Sequence, residues 1–312
     1  MEQIIDPVSP QLIEQELTPE RFLRRTNKAN NEIFVVDAFN APNTMREIGR
    51  LREITFRASG GGTGKSCDID EFDTMTSPCK QLIVWNPADR EIIGAYRYIV
   101  GTDVVVSPSG TPRIATGHMF RFSPKFLTEY LPVTIELGRS FVVPSYQSTH
   151  AGMKSLFALD NLWDGLGALT VEYPQVKYLF GKMTMYPSYP HDCRNLLLKF
   201  LELHFPDPEC LVRPIDPLDT GADSTDLSGF FTGTSFADDY RRLKHFIRDH
   251  GLNIPPLVNS YMSLSPHMHV FGTAINHEFG EVEETGIFIK IAEITDQKKS
   301  RHIDTYHHDK RR

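Results

Sequence analysis

VTIELGRSFVV, residues Val133–Val143, is the stretch on which the fold turns. It reads as one strand that stops at Pro144. Side chains alternate along a regular strand, so Glu136 and Arg139 would face opposite ways. Gly138 between them permits a bulge, and that kink would bring the two charges together.

Upstream, Gln81–Trp85 and Ile92–Val100 read as strands joined by the turn-forming Asn86-Pro87-Ala88-Asp89, which predicts an antiparallel hairpin. A short helix is expected near Pro124–Tyr130. Downstream, Leu156, Leu159, Leu162, Leu166 and Leu169 recur at helical spacing and predict a helix over Met153–Glu172. Tyr178–Tyr186 is then a strand and Cys193–His204 a leucine-rich helix. Nearer the N-terminus, Thr18-Pro19-Glu20 starts a short helix and Phe34–Phe39 a strand. Thr44-Met45-Arg46-Glu47 has the form of a capping box opening a helix to about Arg57. Pro256–Leu264 and Thr285–Ile294 carry β character, so the sheet is completed only near the C-terminal end. These elements predict one interrupted α/β domain over 1–312: a mixed, mostly antiparallel sheet flanked by helices. Residues 1–32 are expected as an N-terminal arm and 206–250 as a partly helical insertion.

Hydrophobic residues make up 40% and charged residues 23%, the balance of a folded chain rather than a disordered one. The longest apolar runs are strand-sized, and acidic Glu2 and Asp6 stand where a signal peptide would be basic, which predicts a cytoplasmic protein. A formal net charge of -7 argues against general nucleic-acid binding. The cysteines Cys67, Cys79, Cys193 and Cys210 have neither CxxC spacing nor a disulfide framework. No metal site is expected, because His267 and His269 have no third ligand at supporting spacing. Two local basic patches, Arg24, Arg25 and Lys28, and Arg241, Arg242 and Lys244, are large enough to dock an acidic carrier protein, and equally read as solvated helix faces.

Gly60-Gly61-Gly62-Thr63-Gly64-Lys65-Ser66 resembles the phosphate-cradling P-loop, which keeps a P-loop phosphotransferase as a reading of a different class. The details depart from it. Ser59 stands where the pattern requires glycine, a capped helix precedes in place of a strand, and the acidic Asp68–Asp73 follows where a phosphate-binding helix should begin. A glycine-rich lid is the alternative reading.

Five features occur in a fixed order: LREITF at Leu51–Phe56, DIDEFD at Asp68–Asp73, GAYRY at Gly94–Tyr98, IELGRSFV at Ile135–Val142, and the apolar helix that follows. Their order resembles the acyl-homoserine-lactone synthases, a branch of the GNAT superfamily that takes acyl groups from acyl carrier protein. A closer resemblance is to the hemolysin-labelled bacterial proteins that include ornithine and glycine N-acyltransferases of lipid synthesis. It extends to YLFGKMTMYPSYP at Tyr178–Pro190, to Arg194, to PPLVNSYMSL, and to Phe271–Ile287, and it covers roughly residues 40–205 and 251–295.

The resemblance implies a GNAT-like fold whose donor strand is Val133–Val143, splayed from its neighbour to open a slot for a pantetheine arm. It implies one charged cluster of Arg52, Asp70, Asp73, Arg97, Glu136 and Arg139. An amide near Phe141 or Val142 would bind the thioester carbonyl and its oxyanion. Amine attack requires a neutral nucleophile, and Glu136 is the expected base, with a structural salt bridge as its alternative role. Arg52, Arg97 and Arg139 would orient carboxylates or hold that of an amino-acid acceptor, and the charges must be paired or solvated.

The implied reaction moves a long-chain, in one version 3-hydroxylated, fatty acyl group to the α-amine of glycine or ornithine. No bound cofactor is expected; the acyl thioester of acyl carrier protein or CoA is a co-substrate. Gln147–Met153 departs from the CoA-pyrophosphate loop of acetyl-CoA users, which favours a carrier-protein donor. Lactone synthesis and acyl-CoA-dependent acetyl transfer remain the alternatives within the superfamily. A lipid product is compatible with peripheral membrane contact, and the hemolysin label keeps a membrane-active binding protein as the third class.

Overall fold

The computed structural model describes residues 1–147, 153–220 and 229–307. In chain order its N-terminal part contains α1 (Pro10–Glu16), β1 (Phe22–Arg25), β2 (Glu32–Val36), α2 (Pro42–Ala58), α3 (Glu71–Thr74), β3 (Lys80–Asn86) and β4 (Glu91–Val100). The middle holds β5 (Phe120–Phe122), β6 (Thr134–Val142), α4 (Met153–Glu172), β7 (Tyr178–Met185), α5 (His191–His204) and β8 (Val212–Pro214). The chain continues through α6 (Phe236–Asp249), α7 (Pro256–Met262), β9 (His269–Asn276), β10 (Val282–Lys290) and α8 (Asp296–His302).

Eight strands form one sheet in the order β1-β2-β3-β4-β6-β7-β10-β9, with β6 near its centre. Every adjacent pair is antiparallel except β6 and β7, which are parallel. A parallel pair needs a long crossover, and α4 supplies it. The expected mixed, mostly antiparallel sheet flanked by helices is therefore present.

Alternation along the strands divides two apolar layers. Tyr96, Tyr98, Ile135, Leu179, Met183 and Ile287 join one core with Leu162 and Leu166 of α4 and the leucines of α5. Ile99, Phe180 and Phe288 project to the other face and join Phe120, Phe126 and Phe271 in a second. Glu136 shares the second parity, since it pairs with Ile99 and Phe180.

Several local expectations are revised. Pro256–Leu264 is not a strand: Pro255 caps and Pro256 opens the helix α7, and the β character belongs to His269–Asn276. The helix α2 starts at Pro42, two residues before the Thr44 motif. Its exposed amides are capped from outside by Glu16, which accepts from Asn43 N at 3.0 Å, Thr44 N at 2.7 Å and Thr44 Oγ1 at 2.8 Å. The expected arm contributes the edge strand β1, and the expected insertion contributes β8, which pairs with β5, and α6, which packs on α5. Thr18-Pro19-Glu20 makes only a 3₁₀ turn, Pro19–Arg21. Most of the Gln147–Met153 loop and the tail beyond His307 lie outside the described residues.

The glycine loop is held by carboxylates. Thr63 N donates to Glu53 Oε1 at 2.8 Å and Ser66 N to Glu2 Oε2 at 2.7 Å, while Gly61 N donates to Phe56 O at 2.9 Å. These amides close the C-terminal end of α2 and are already occupied by acceptors, an arrangement unlike a phosphate cradle.

Candidate active site

The β6 strand is bulged, one residue beyond the glycine expected to cause it. Ala95 pairs with Phe141 and Arg97 with Gly138, so Arg139 and Ser140 together oppose Tyr96. The left-handed residue is Arg139, at φ 47°. A non-glycine residue there costs about 1–3 kcal/mol, and its side chain supplies compensation. Arg139 Nε lies 2.8 Å from Asp68 Oδ2, and the guanidinium sits 4.2 Å from the Phe279 ring centroid. Gly138 contributes space: a Cβ built there meets nothing within 4 Å.

The pairing of β6 with β7 runs only from Thr134↔Tyr178 to Glu136↔Phe180. Beyond it the strands part, and a cleft opens between them with lining residues from both faces of the sheet. Gly138, Ser140 and Gly181 line the gap. On one side stand Arg139, Lys182, Thr184 and Glu284; on the other, Trp163, Leu179, Leu257, Tyr261, Leu264 and Ile287. One side is thus charged and the other apolar.

Five of the six charges expected to cluster do so. Arg52, fully buried, donates to Asp73 Oδ2 at 2.9 Å, Gln81 Oε1 at 2.7 Å and the Asp68 carbonyl at 3.1 Å. Arg97 donates to both Asp70 oxygens at 2.7 Å and to Asp73 at 3.2 Å. Arg139 reaches Asp70 Oδ2 at 3.7 Å in addition to Asp68. The three-residue spacing of Asp70 and Asp73 is that of a reciprocal cap on α3: Asp70 accepts from the Asp73 amide and Asp73 from the Asp70 amide. Burial alone would raise the Asp73 pKa, but the Arg52 and Arg97 charges more than reverse it and hold the carboxyl well below the usual range. The same acids keep buried Arg97 protonated, raising its pKa against the desolvation that would lower it.

Glu136 stands apart from this cluster. Its carboxylate accepts from Thr116 Oγ1 at 2.7 Å, Thr116 N at 3.0 Å and Ala115 N at 3.3 Å, and it does not line the cleft. Burial pushes its pKa up, opposed by the Thr116 hydroxyl and the charge of Arg97. The kink therefore joins Arg139 to Asp68 and Asp70 and leaves Glu136 unpaired with it, because the Ala115–Thr116 donors already hold the carboxylate. Phe141 and Val142 are not among the lining residues, where Ser140 stands, and the Phe141 ring packs edge-on against Phe56 with centroids 6.3 Å apart.

Reading the sequence alone found Arg139 but missed the two other charged groups that line the cleft, Lys182 and Glu284. Lys182 is ion-paired with Glu284, which also accepts from Asn276 Nδ2 at 2.8 Å and Thr184 Oγ1 at 3.2 Å. Burial pushes the Lys182 pKa down, and the Glu284 charge opposes it. The available signal was a period-two run, Phe180, Lys182, Thr184, setting a lysine in an otherwise apolar strand opposite the acidic pair Glu283-Glu284.

A mixed sheet with a bulged central strand parted from its parallel neighbour is the architecture of the GNAT fold. Residues 51–156 match the model of the acetyltransferase (GNAT) domain, and identities of 61% and 57% over 98% of the chain show that it belongs with the N-acyltransferases of that kind. It is similar to the glycine N(alpha)-acyltransferase of Bacteroides thetaiotaomicron, 61% identical over 98% of this chain and 91% of that protein. It is also similar to the glycine N(alpha)-acyltransferase of Phocaeicola vulgatus, 57% identical over 98% of this chain and 94% of that protein. Among solved structures, FeeM, an N-acyl amino acid synthase from uncultured soil microbes, aligns with a TM-score of 0.38 at 12% identity, over 89% of this chain and 97% of that one. The CoA-dependent acyl-homoserine lactone synthase BjaI aligns with a TM-score of 0.37 at 10% identity, over 88% of each chain.

Proposed function

We propose that the protein transfers a long-chain fatty acyl group from a thioester, carried by acyl carrier protein or by CoA, to the amine of glycine. The observation that supports this reading is a cleft with a charged side and an apolar side, joined through the gap between β6 and β7. The names of the relatives, with 61% and 57% identity over nearly the whole chain, support glycine as acceptor.

Glycine's carboxylate is matched by Arg139, whose guanidinium is fixed by Asp68 and Phe279 yet lines the cleft. Its ammonium is matched by Glu284, the carboxylate in the lining, which takes the proton so that the amine can attack. The nitrogen attacks the thioester carbonyl, the C–N bond forms, the C–S bond breaks, and the carrier thiol leaves with a proton. The β6 bulge at Arg139–Ser140 supplies the edge amide for the oxyanion, in place of one at Phe141 or Val142. Arg52, Arg97, Asp70 and Asp73 hold the Asp68–Asp73 segment in position and so place Asp68 against Arg139. Glu136 acts at one remove, as a buried negative charge near Arg97 and Lys182.

The purified protein, given glycine and a long-chain acyl thioester on either carrier, is expected to form an N-acylglycine detected by mass spectrometry. Product from neither carrier, with the thioester intact, would remove the reading. Comparing initial rates with the two carriers identifies the donor.

A further inference from the structure

Lys182 stands where the sheet first opens. The last paired residues of β6 and β7 are Glu136 and Phe180, and Gly181 is still close enough to β6 that a Cβ built on it would lie 3.2 Å from the Leu137 carbonyl. One residue further, the same parallel register sets Lys182 opposite Gly138, beside which there is open space. Both residues line the cleft.

The lysine is short of partners. Its side chain is 10% exposed and that of Glu284 2%. An ammonium has three N–H donors, and among the described residues one is used, by Lys182 Nζ donating to Glu284 Oε2. Glu284 is better served, since Asn276 Nδ2 and Thr184 Oγ1 donate to it as well. Unmatched donors on a buried ammonium are costly, so a structural pair alone does not account for Lys182, and its free donors call for an acceptor that arrives with the substrate. An amine attacking from Glu284 meets a carbonyl carbon whose sulphur is one bond away, within reach of the ammonium bonded to the same carboxylate. The other donors in the lining suit that sulphur less. Arg139 cannot release a proton. Burial raises the pKa of Tyr96 and of Tyr261, which holds their protons, whereas burial lowers that of Lys182 against the opposing Glu284 charge.

We infer that Lys182 is the proton donor to the departing thiolate, and that Glu284 and Lys182 work as one pair. The inference rests on the acyl-transfer reading and supplies its leaving-group side. Glu284 takes a proton from the glycine ammonium, which removes the negative charge that holds Lys182 protonated. The amine forms the C–N bond, and as the C–S bond breaks its electron pair goes to sulphur, which takes the Lys182 proton. The Lys182 amine then recovers the proton held by Glu284, a second proton leaves the new amide nitrogen for solvent, and the pair is reset.

The test compares two thioesters of the same long-chain acyl group, each given with glycine to the full chain. One is carried on N-acetylcysteamine, an alkyl thiol that leaves as a basic thiolate, and the other on para-nitrothiophenol, whose thiol is ionised at neutral pH and needs no proton. Lys182→Arg keeps a charge against Glu284 but releases no proton, and Lys182→Met removes both. In each variant the ratio of kcat/KM for the alkyl ester to that for the aryl ester should fall about a hundredfold from the wild-type ratio, the low end for a general acid because a thiolate leaves readily. A purely structural role lowers both esters together, so an unchanged ratio in either variant overturns the inference while N-acylglycine formation stands. Wild-type protein that forms no N-acylglycine from either ester removes the acyl-transfer reading, and the inference with it.

Discussion

Asp73→Asn tests whether the cluster beneath the cleft is an interdependent buried network. Asp73 is wholly buried and accepts from Arg52 at 2.9 Å, Arg97 at 3.2 Å, Gln81 Nε2 at 2.9 Å and the Asp70 amide at 3.2 Å. Asparagine keeps the volume but removes the charge and places an amide donor among donors. Arg97 retains Asp70, but Arg52, with 0% side-chain exposure, keeps only neutral acceptors. Removing one partner of a buried pair costs about 3–5 kcal/mol, which lowers Tm by on the order of 10 °C at roughly 2–4 °C per kcal/mol. Urea unfolding followed by circular dichroism measures the loss, and an unchanged slope assigns it to stability rather than to the denatured state. Acid supplies the sign. The Asp73 pKa is depressed in the folded protein, so its contribution is complete above the unfolded carboxyl value of about 3.9 and disappears as pH falls through the lower folded value. The difference between wild type and variant should therefore be full at neutral pH and close on acidification. A loss under about 1 kcal/mol, the range of exposed pairs, or a difference indifferent to acid, would refute the buried-network account.

Glu284→Gln should lower kcat/KM for acyl transfer by roughly 10²–10⁴-fold, the usual contribution of a general base, and Glu136→Gln by less than about tenfold under the same principle of contact with the proton transferred; the opposite ranking would return the base to Glu136. Arg139→Lys should raise KM for glycine more than it lowers kcat, since a lysine keeps the charge but loses the planar pairing, and an unchanged KM would place the acceptor carboxylate elsewhere. Glu16→Ala should destabilise the fold by about 0.5–2 kcal/mol, as loss of a helix cap does. Burial works against the charge of Glu16, but the Thr44 and Asn43 amides lower its pKa, so this contribution too is present above the ordinary carboxylate range and is lost as pH falls through the folded value. Chemical denaturation of the variant at neutral and acid pH checks both statements.

The parts of the fold legible in the sequence were those set by local periodicity. The hairpin of β3 and β4, the strand β6 and the helices α4 and α5 follow from alternation, helical spacing and proline stops, and each occurs close to its expected bounds. The α7 segment was misread because Leu257, Tyr261 and Leu264 are apolar over too short a run to separate strand from helix by period. Capping of α2 by Glu16 was invisible for another reason: the acceptor lies 27 and 28 residues from its donors. The cluster of arginines and aspartates was legible through the resemblance, whose motifs hold its members, and the need to pair buried charges agrees with it. The partner of Arg139 was less so, since the bulge that turns it towards Asp68 falls on a non-glycine residue whose strain is compensated only in three dimensions. Lys182 and Glu284 lie 102 residues apart and meet across adjacent strands whose register no local pattern specifies.

If the acyl group crosses the sheet between β6 and β7, Gly138→Phe should block its path. A Cβ at this position meets nothing within 4 Å, and Gly138 has no left-handed φ, so the variant should fold with a Tm close to that of wild type. Its ring would occupy the gap that the acyl thioester must enter. Transfer of a long-chain acyl group to isotopically labelled glycine, measured under single-turnover conditions, should fall by more than about a hundredfold, the scale of a misplaced reacting group. A folded Gly138→Phe protein that forms labelled N-acylglycine at the wild-type rate would contradict the account.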